Sequence, residues 1–352
     1  MRPMAAISGE SALDGSLKES FERDGYLLVR GLLPQSEIAA LRTDVLGVLQ
    51  RHGWLSHPGL ADDRRVAPEM ACVEPEPRFR KAYADVFRLE RHHRLAHHPD
   101  ILAVISALLD CADLLIHPRK SMRLIFPNRG VLDFSTPAHQ DFPVIQGTPE
   151  TITAWSCLHP CETPEGGLMV AEGSHLKGIY PLRLANGAGG LEVADPLTSA
   201  WRTAEFQPGD VLFFHSHTVH RSGQNVSDNI RLSVDYRYQR FSDPIGEVCL
   251  DLSSHSTDWP EVYRDWRGSD LQYYWRRPGL RTLPFDGALH EHRDSIALRA
   301  AEDGDLNAIS TLQRIVLAEP TSEKGELAAA LLRRLKGRAQ SLEGVQAPGS
   351  AH

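Results

Sequence analysis

Residues 230–238 read Ile-Arg-Leu-Ser-Val-Asp-Tyr-Arg-Tyr. Ile230, Leu232, Val234, Tyr236 and Tyr238 alternate with Arg231, Ser233, Asp235 and Arg237, and successive side chains of an extended chain point to opposite faces. The run is therefore a strand with one apolar face for a core and one polar, charged face turned elsewhere. Residues 151–158 divide in the same way, with Thr151, Thr153, Trp155 and Cys157 on one side and Ile152, Ala154 and Leu158 on the other. Further β-like runs at residues 114–117, 122–126 and 211–214 are separated by clusters of Pro, Gly, Asn and Asp. Many short strands with turn signals between them predict a sandwich or barrel rather than a βαβ fold.

Helical periods flank this β region. Ser36 is placed to cap a helix whose Ile38, Leu41, Val45 and Val48 form a stripe, and Ile101, Val104, Ile105 and Leu108 repeat the pattern after Asp100. Beyond Asp286 the chain returns to helix: Asp305 precedes Leu306, Ile309, Leu312 and Val316, while Leu327, Leu331 and Leu335 make a second stripe that ends at Gly337. The spacing predicts a helical pair packed on the barrel or on a second copy, as a homodimer contact. His92, His93, His97 and His98 fall in a charged helical stretch and are assigned to a solvated face. Residues 1–15 are assigned to a flexible N-terminus, 290–339 to a C-terminal helical extension and 340–352 to a disordered tail.

Bulk properties narrow the function. A net charge of −8 without a basic cluster argues against a nucleic-acid partner, which needs concentrated Lys and Arg. No run approaches the length of apolar chain a membrane span requires. The five cysteines are scattered and odd in number, and the first residues lack a secretory pattern, so the expected compartment is the reducing cytoplasm. Small-molecule chemistry is the expected occupation of the polar strand face.

His139-Gln140-Asp141 sets two potential ligands two residues apart, on one face of an extended segment. His220, just after the apolar run at 211–214, is the candidate third ligand. Two imidazoles and one carboxylate make the facial triad of non-haem Fe(II) oxygenases, with positions left open for cosubstrate and oxygen. An H-x-D tripeptide alone is weak. Arg231 strengthens it: eleven residues after His220 and followed by Ser233, it offers a planar fork for the far carboxylate of a dicarboxylic cosubstrate. The competing assignment is a zinc hydrolase built on His215, His217 and His220.

Several separate motifs resemble the phytanoyl-CoA dioxygenase family of Fe(II)/2-oxoglutarate oxygenases. They are Phe21-Glu22-Arg23-Asp24-Gly25-Tyr26 leading to Arg30-Gly31-Leu32-Leu33, His139-Gln140-Asp141, and Glu172-Gly173-Ser174-His175 after Gly166-Gly167. The last is Gly209-Asp210-Val211-Leu212-Phe213-Phe214, followed by His220-Arg221-Ser222-Gly223 and Asn225. The resemblance spans about residues 20 to 285 and implies a double-stranded β-helix, a jelly-roll core with flanking helices, as an oxygenase domain over residues 16–289. It implies Fe(II), 2-oxoglutarate and O2, with iron on His139, Asp141 and His220. Asp141 stands where related halogenases carry a small residue, which favours hydroxylation, with desaturation, epoxidation or ring formation as variants of the same oxidation. The strand before the His-Gln-Asp loop, where family members make cosubstrate or substrate contacts, brings in Lys120, Ser121 and Arg123. The polar face of the 151–158 strand, turned to the barrel mouth, brings in Thr153 and Trp155. The aromatic stretch of Trp259, Tyr263, Trp266, Tyr273, Tyr274 and Trp275 either covers the mouth as a lid or packs the C-terminal helices. The alternative function is a catalytically silent, metal-retaining binding module of the same fold.

Overall fold

Each strand expected from alternation forms within a residue or two of its expected ends, and the longest, Arg231–Arg240, is the axis of the larger sheet. The computed structural model describes residues 2–8, 16–57, 63–128, 130, 132–252 and 257–346. The larger sheet runs in the order Ala6–Ser8, Tyr26–Arg30, Val211–His215, Ile152–Cys157, Arg231–Arg240 and Leu114–Ile116, with Ser121–Ile125 also paired to Arg231–Arg240. The smaller sheet runs Arg2–Pro3, Trp201–Thr203, Leu168–Ala171 and His220–Ser222. Its Leu168 and Val170 pack against Trp155, Leu212 and Phe214 of the larger sheet, which makes the pair a jelly-roll sandwich. Residues 2–8, expected to be flexible, supply two edge strands.

The outer face of the larger sheet is the apolar half of the alternation. Leu232, Val234, Tyr236, Tyr238, Ile152 and Ala154 meet Ile38, Leu41, Val45, Ile101, Val104 and Ile105 of helices Gln35–Arg51 and Pro99–Leu109 in one core. Burying each such aliphatic side chain stabilises the fold by about 1.5–3 kcal/mol, so the layer pins the register of the strand that carries the polar residues. Ser36 lies inside its helix, whose N-cap is Pro34, and caps nothing. His98 caps the second helix through Nδ1, which accepts from the Asp100 amide at 3.2 Å.

The assignment of the four histidines to a solvated face is corrected. His92 and His93 are buried, His93 Nε2 bonding the Phe87 carbonyl at 2.7 Å and His92 lying beside the Tyr236 hydroxyl at 3.3 Å. The stretch contains a helix turned inward, and its charge comes from exposed Arg91 and Arg94, which flank His92 and His93. The aromatic stretch also differs from expectation. Trp259, Tyr263 and Trp275 pack with Phe87, Leu115 and Phe241 on the barrel wall, away from the C-terminal helices.

The C-terminal region holds three helices, Ala288–Glu302, Ile309–Ala318 and Glu323–Gln346. The first escaped the pattern because only Asp294, Ala297 and Ala301 of it are buried. The last runs through Gly337 to Gln346, so the break expected at Gly337 does not occur and the expected tail begins helical. Their shared core of Ala297, Leu312, Ile315, Leu331 and Leu335 also packs on Leu132, Phe134 and Leu184, and the Gly187 amide donates to Ser310 Oγ at 2.9 Å. The extension is thereby docked on the loop that leads into His139.

Candidate active site

The two sheets meet at the site. His220 opens its strand on the smaller sheet opposite Val170, and His139 exchanges two backbone hydrogen bonds with His220, each 2.9 Å. Their rings lie 4.1 Å apart between centroids, and the His220 ring rests 4.4 Å from Phe214. Asp141 begins the single helical turn Phe142–Ile145, so the segment is not extended throughout as expected, yet His139 Nε2 and Asp141 Oδ1 stand 3.9 Å apart. One ligand atom from each of His139, Asp141 and His220 falls within 4.8 Å of the others, and this is the one such group of three or more among the described residues. His215 and His217 do not join it.

The ring tautomers are set for a metal. His139 Nδ1 donates to the Pro137 carbonyl at 2.8 Å and His220 Nδ1 to the Thr218 carbonyl at 3.0 Å, which leaves both Nε2 lone pairs free. Burial, with His220 beside it, pushes the pKa of His139 down to about 3, and burial lowers that of His220 too. Both rings are thus neutral, the form a metal takes. Burial works to raise the Asp141 pKa, but the charge and hydrogen bonds of Arg237 overcome it and hold the group well below the usual carboxylate range.

Asp141 is held by three hydrogen bonds from two side chains. Arg237 Nη2 donates to Oδ1 at 2.8 Å and Nε to Oδ2 at 3.1 Å, while Thr153 Oγ1 donates to Oδ2 at 2.7 Å. Sequence reasoning missed Arg237, although it shares the face of Arg231 and the alternation carried the signal. Gln140, between the two ligands, was also missed. It donates to the carbonyls of Gly178 at 2.8 Å and His217 at 2.7 Å and accepts from the Tyr180 amide at 2.9 Å, which locks the ligand loop to its neighbours.

The recess in front of the triad is lined by Arg123, Thr153, Trp155, Arg231 and Asp235 from three adjacent strands, in the register Asp235 opposite Trp155 and Arg237 opposite Thr153. Arg231 is 1 % exposed and donates through Nη1 to the Gly166 carbonyl, while its Nε and the neighbouring Ser233 Oγ are buried with no partner among the described residues. A buried guanidinium and a hydroxyl with unmade bonds fit an incoming carboxylate. Of the other expected cosubstrate contacts, Trp155 lines the recess with its indole edge on Phe206 at 4.7 Å. Arg123 lines it too, but its Nε is committed to Asp235 at 2.6 Å, and the Thr153 hydroxyl is committed to Asp141. Lys120 points the other way, buried against the Tyr274 hydroxyl at 3.1 Å.

The remaining motifs hold this arrangement together. Gly166 has φ +71°, and a Cβ there would lie 2.2 Å from the Gly223 carbonyl oxygen, so the two glycines let two loops touch and bring the Gly166 carbonyl to Arg231. Ser174 accepts from the Val219 amide at 2.9 Å and fixes the segment before His220. Asp210 pairs with Arg30 at 2.6 Å and accepts from the Gly31 amide, tying the Arg-Gly pair to the strand that precedes the distal histidine.

Two imidazoles, a carboxylate and an adjoining buried guanidinium on a jelly roll define a non-haem Fe(II)/2-oxoglutarate oxygenase. The family model described as phytanoyl-CoA dioxygenase (PhyH) matches residues 21–233, and the chain belongs to that family, which uses Fe(II), 2-oxoglutarate and O2. It is 27% identical over 265 residues to the 1-deoxypentalenic acid 11-beta-hydroxylase of Streptomyces arenae, covering 71% of this chain and 87% of that protein. It is 21% identical over 229 residues to the human peroxisomal phytanoyl-CoA dioxygenase, covering 63% and 67%. Among solved structures it is similar to the epimerase SnoN in complex with Fe3+, alpha ketoglutarate and nogalamycin RO, at 24% identity and TM-score 0.48, covering 67% of this chain and 86% of that one.

Proposed function

We propose that His139, Asp141 and His220 hold the iron, that Arg231 and Ser233 receive the distal carboxylate of 2-oxoglutarate, and that the enzyme hydroxylates an unactivated carbon of a small organic molecule, releasing succinate and CO2. The observation that carries this is the convergence of three ligand atoms within 4.8 Å beside a buried guanidinium whose Nε has no partner among the described residues. Iron with its cosubstrate supplies the oxidising power when bound. The chain's own contribution is positional. The Pro137 and Thr218 carbonyls fix the ring tautomers, Arg237 and Thr153 hold the Asp141 carboxylate still, and Trp155, Leu168 and Phe214 line the recess with apolar surface that limits water. The hydroxylase in the name of the Streptomyces arenae relative supports the reaction type.

Five free cysteines support a reducing cytoplasm as the compartment, and no helix of the described residues is long and apolar enough to cross a membrane. Exposed Leu317 and Leu327 on the C-terminal helices are the apolar groups left for a homodimer contact.

Anaerobic addition of Fe(II) and 2-oxoglutarate should produce the visible charge-transfer band of the chelate, and Asp141→Ala should abolish both the band and succinate release. A folded, metal-loaded protein without the band, or an Asp141→Ala variant that still turns over, refutes the assignment.

A further inference from the structure

The inner face of the Arg231–Arg240 and Ser121–Ile125 strand pair carries a row of guanidinium groups, and all but one have an assigned counterpart. Arg123 pairs with Asp235 at 2.6 Å, Arg237 with Asp141 at 2.8 Å, and Arg231 faces the cosubstrate position. The ladder sets Ser121 opposite Asp235 and resumes with Ile116 opposite Tyr238, so Arg119 lies in the bulge between these paired positions. There the chain leaves the ladder. The His117 amide still bonds the Arg237 carbonyl at 2.8 Å, whereas the Arg119 amide turns to the Cys249 carbonyl at 3.3 Å.

Arg119 is half-buried, and among the described residues its guanidinium makes no hydrogen bond and no ion pair. Burial lowers its pKa and the Arg237 charge lowers it further, while Cys249, Tyr83 and Asp251 act the other way without offsetting the burial. The C-terminal helices add no anion that cancels it. His290 is lowered by burial and then by Arg293, with the positive charges of Arg314 and Arg119 also acting on it. Arg293 and Lys324 are both taken up by Asp294, and Arg314 by Glu74 at 3.4 Å. In a chain of net charge −8, Arg119 is therefore a desolvated cation that makes no ion pair among the described residues, with Asp251 acting on it through its charge alone. Such a group is costly to fold around unless a ligand completes it.

We propose that Arg119 is a specificity-determining residue that receives an oxyanion of the substrate, a carboxylate or phosphonate on a small and otherwise apolar molecule. It thereby sets which carbon lies before the triad. The position is suited to this: Arg119 lies in the bulge next to the paired position of Arg237, which grips the ligand Asp141 and whose charge acts on Arg119, and it is separate from Arg231, so substrate and cosubstrate acids have different receptors. A guanidinium fork takes either oxyanion through paired, charge-assisted bonds. The proposal rests on the oxygenase assignment of the site.

The test uses the full chain loaded anaerobically with Fe(II) and 2-oxoglutarate, with octanoate, octylphosphonate and octan-1-ol as probes of equal chain length. Binding is read by calorimetry while the charge-transfer band is followed. At least one of the two anions should bind ten-fold or more tighter than octan-1-ol, with the band retained, which shows that 2-oxoglutarate has not been displaced from Arg231. Arg119→Gln should remove that preference, Arg119→Lys should keep part of it, and both variants should retain the band. Anions that bind no tighter than octan-1-ol, or a preference that survives in Arg119→Gln, overturn the proposal. A wild-type protein that binds octanoate through Arg119 but shows no band would sink the oxygenase assignment and leave the anion receptor standing.

Discussion

Replacing Arg231 by Gln removes a cation from the recess without emptying the space it fills. The guanidinium spends Nη1 on the Gly166 carbonyl and leaves Nε unpaired in a site from which solvent is excluded, so an arriving carboxylate completes donors that water cannot reach. Each charge-assisted hydrogen bond is worth about 1.5–3 kcal/mol, and glutamine returns one neutral bond of about 1 kcal/mol. Two bonds lost and one weaker one gained leave a deficit of about 3 kcal/mol, or roughly 10²-fold in 2-oxoglutarate affinity. Arg231→Lys keeps the charge but not the fork and should fall between. The assay is anaerobic titration of the charge-transfer band, with direct Co(II) binding and thermal unfolding as controls for site and fold. Metal affinity should stay within a few-fold of wild type, since Arg231 bonds none of the three ligand side chains. A 2-oxoglutarate affinity within three-fold of wild type in a folded Arg231→Gln protein would refute the assignment of this side chain.

Two other outcomes follow from buried charges. Arg237→Gln leaves the Asp141 carboxylate buried with Thr153 as its remaining strong side-chain donor, and breaking a buried pair costs about 3–5 kcal/mol; because a bound cation replaces the lost charge, Co(II) should raise the melting temperature of the variant more than that of wild type. An equal rise in both would show that the pair contributes little. Burial pushes the Lys120 ammonium down to about 7, from 10.5 in an unfolded chain. Between those values the unfolded state holds a proton that the folded state lacks, so the stability of wild type should rise with pH from about 7 to 10, by up to several kcal/mol. Lys120→Met should lack that rise, and parallel stability–pH curves for the two proteins by urea unfolding would count against a neutral Lys120.

The sequence carried the strands because alternation is a direct image of a sheet with unlike faces. It carried the convergence of His139, Asp141 and His220 and the place of Arg231 in the recess beside them, because motif order and spacing encode which strand ends meet. Arg237 was visible as a polar-face residue but not as a partner of Asp141, since that pairing joins residues 96 apart through sheet register. Arg123 and Thr153 were legible as facing the recess, while their commitments to Asp235 and Asp141 depend on distances no pattern expresses. His92 and His93 were misplaced because a helix with charged neighbours looks solvated until the Phe87 carbonyl and Tyr236 hydroxyl that accommodate them are seen. Helix Ala288–Glu302 escaped notice because its buried residues are Asp294 and the small Ala297 and Ala301, which leave a faint periodic signal.

The ten residues of Arg231–Arg240 act as a ruler on which the buried guanidinium of Arg231 and the clamp of Arg237 on Asp141 are marked off on one face, at every second position. Inserting one residue there would turn Arg237 toward the helices and an aromatic ring toward the recess, so folding and chemistry would fail in a single event. The C-terminal helices dock on the loop before His139 and form no part of that ladder, so a change in their length leaves its graduations fixed.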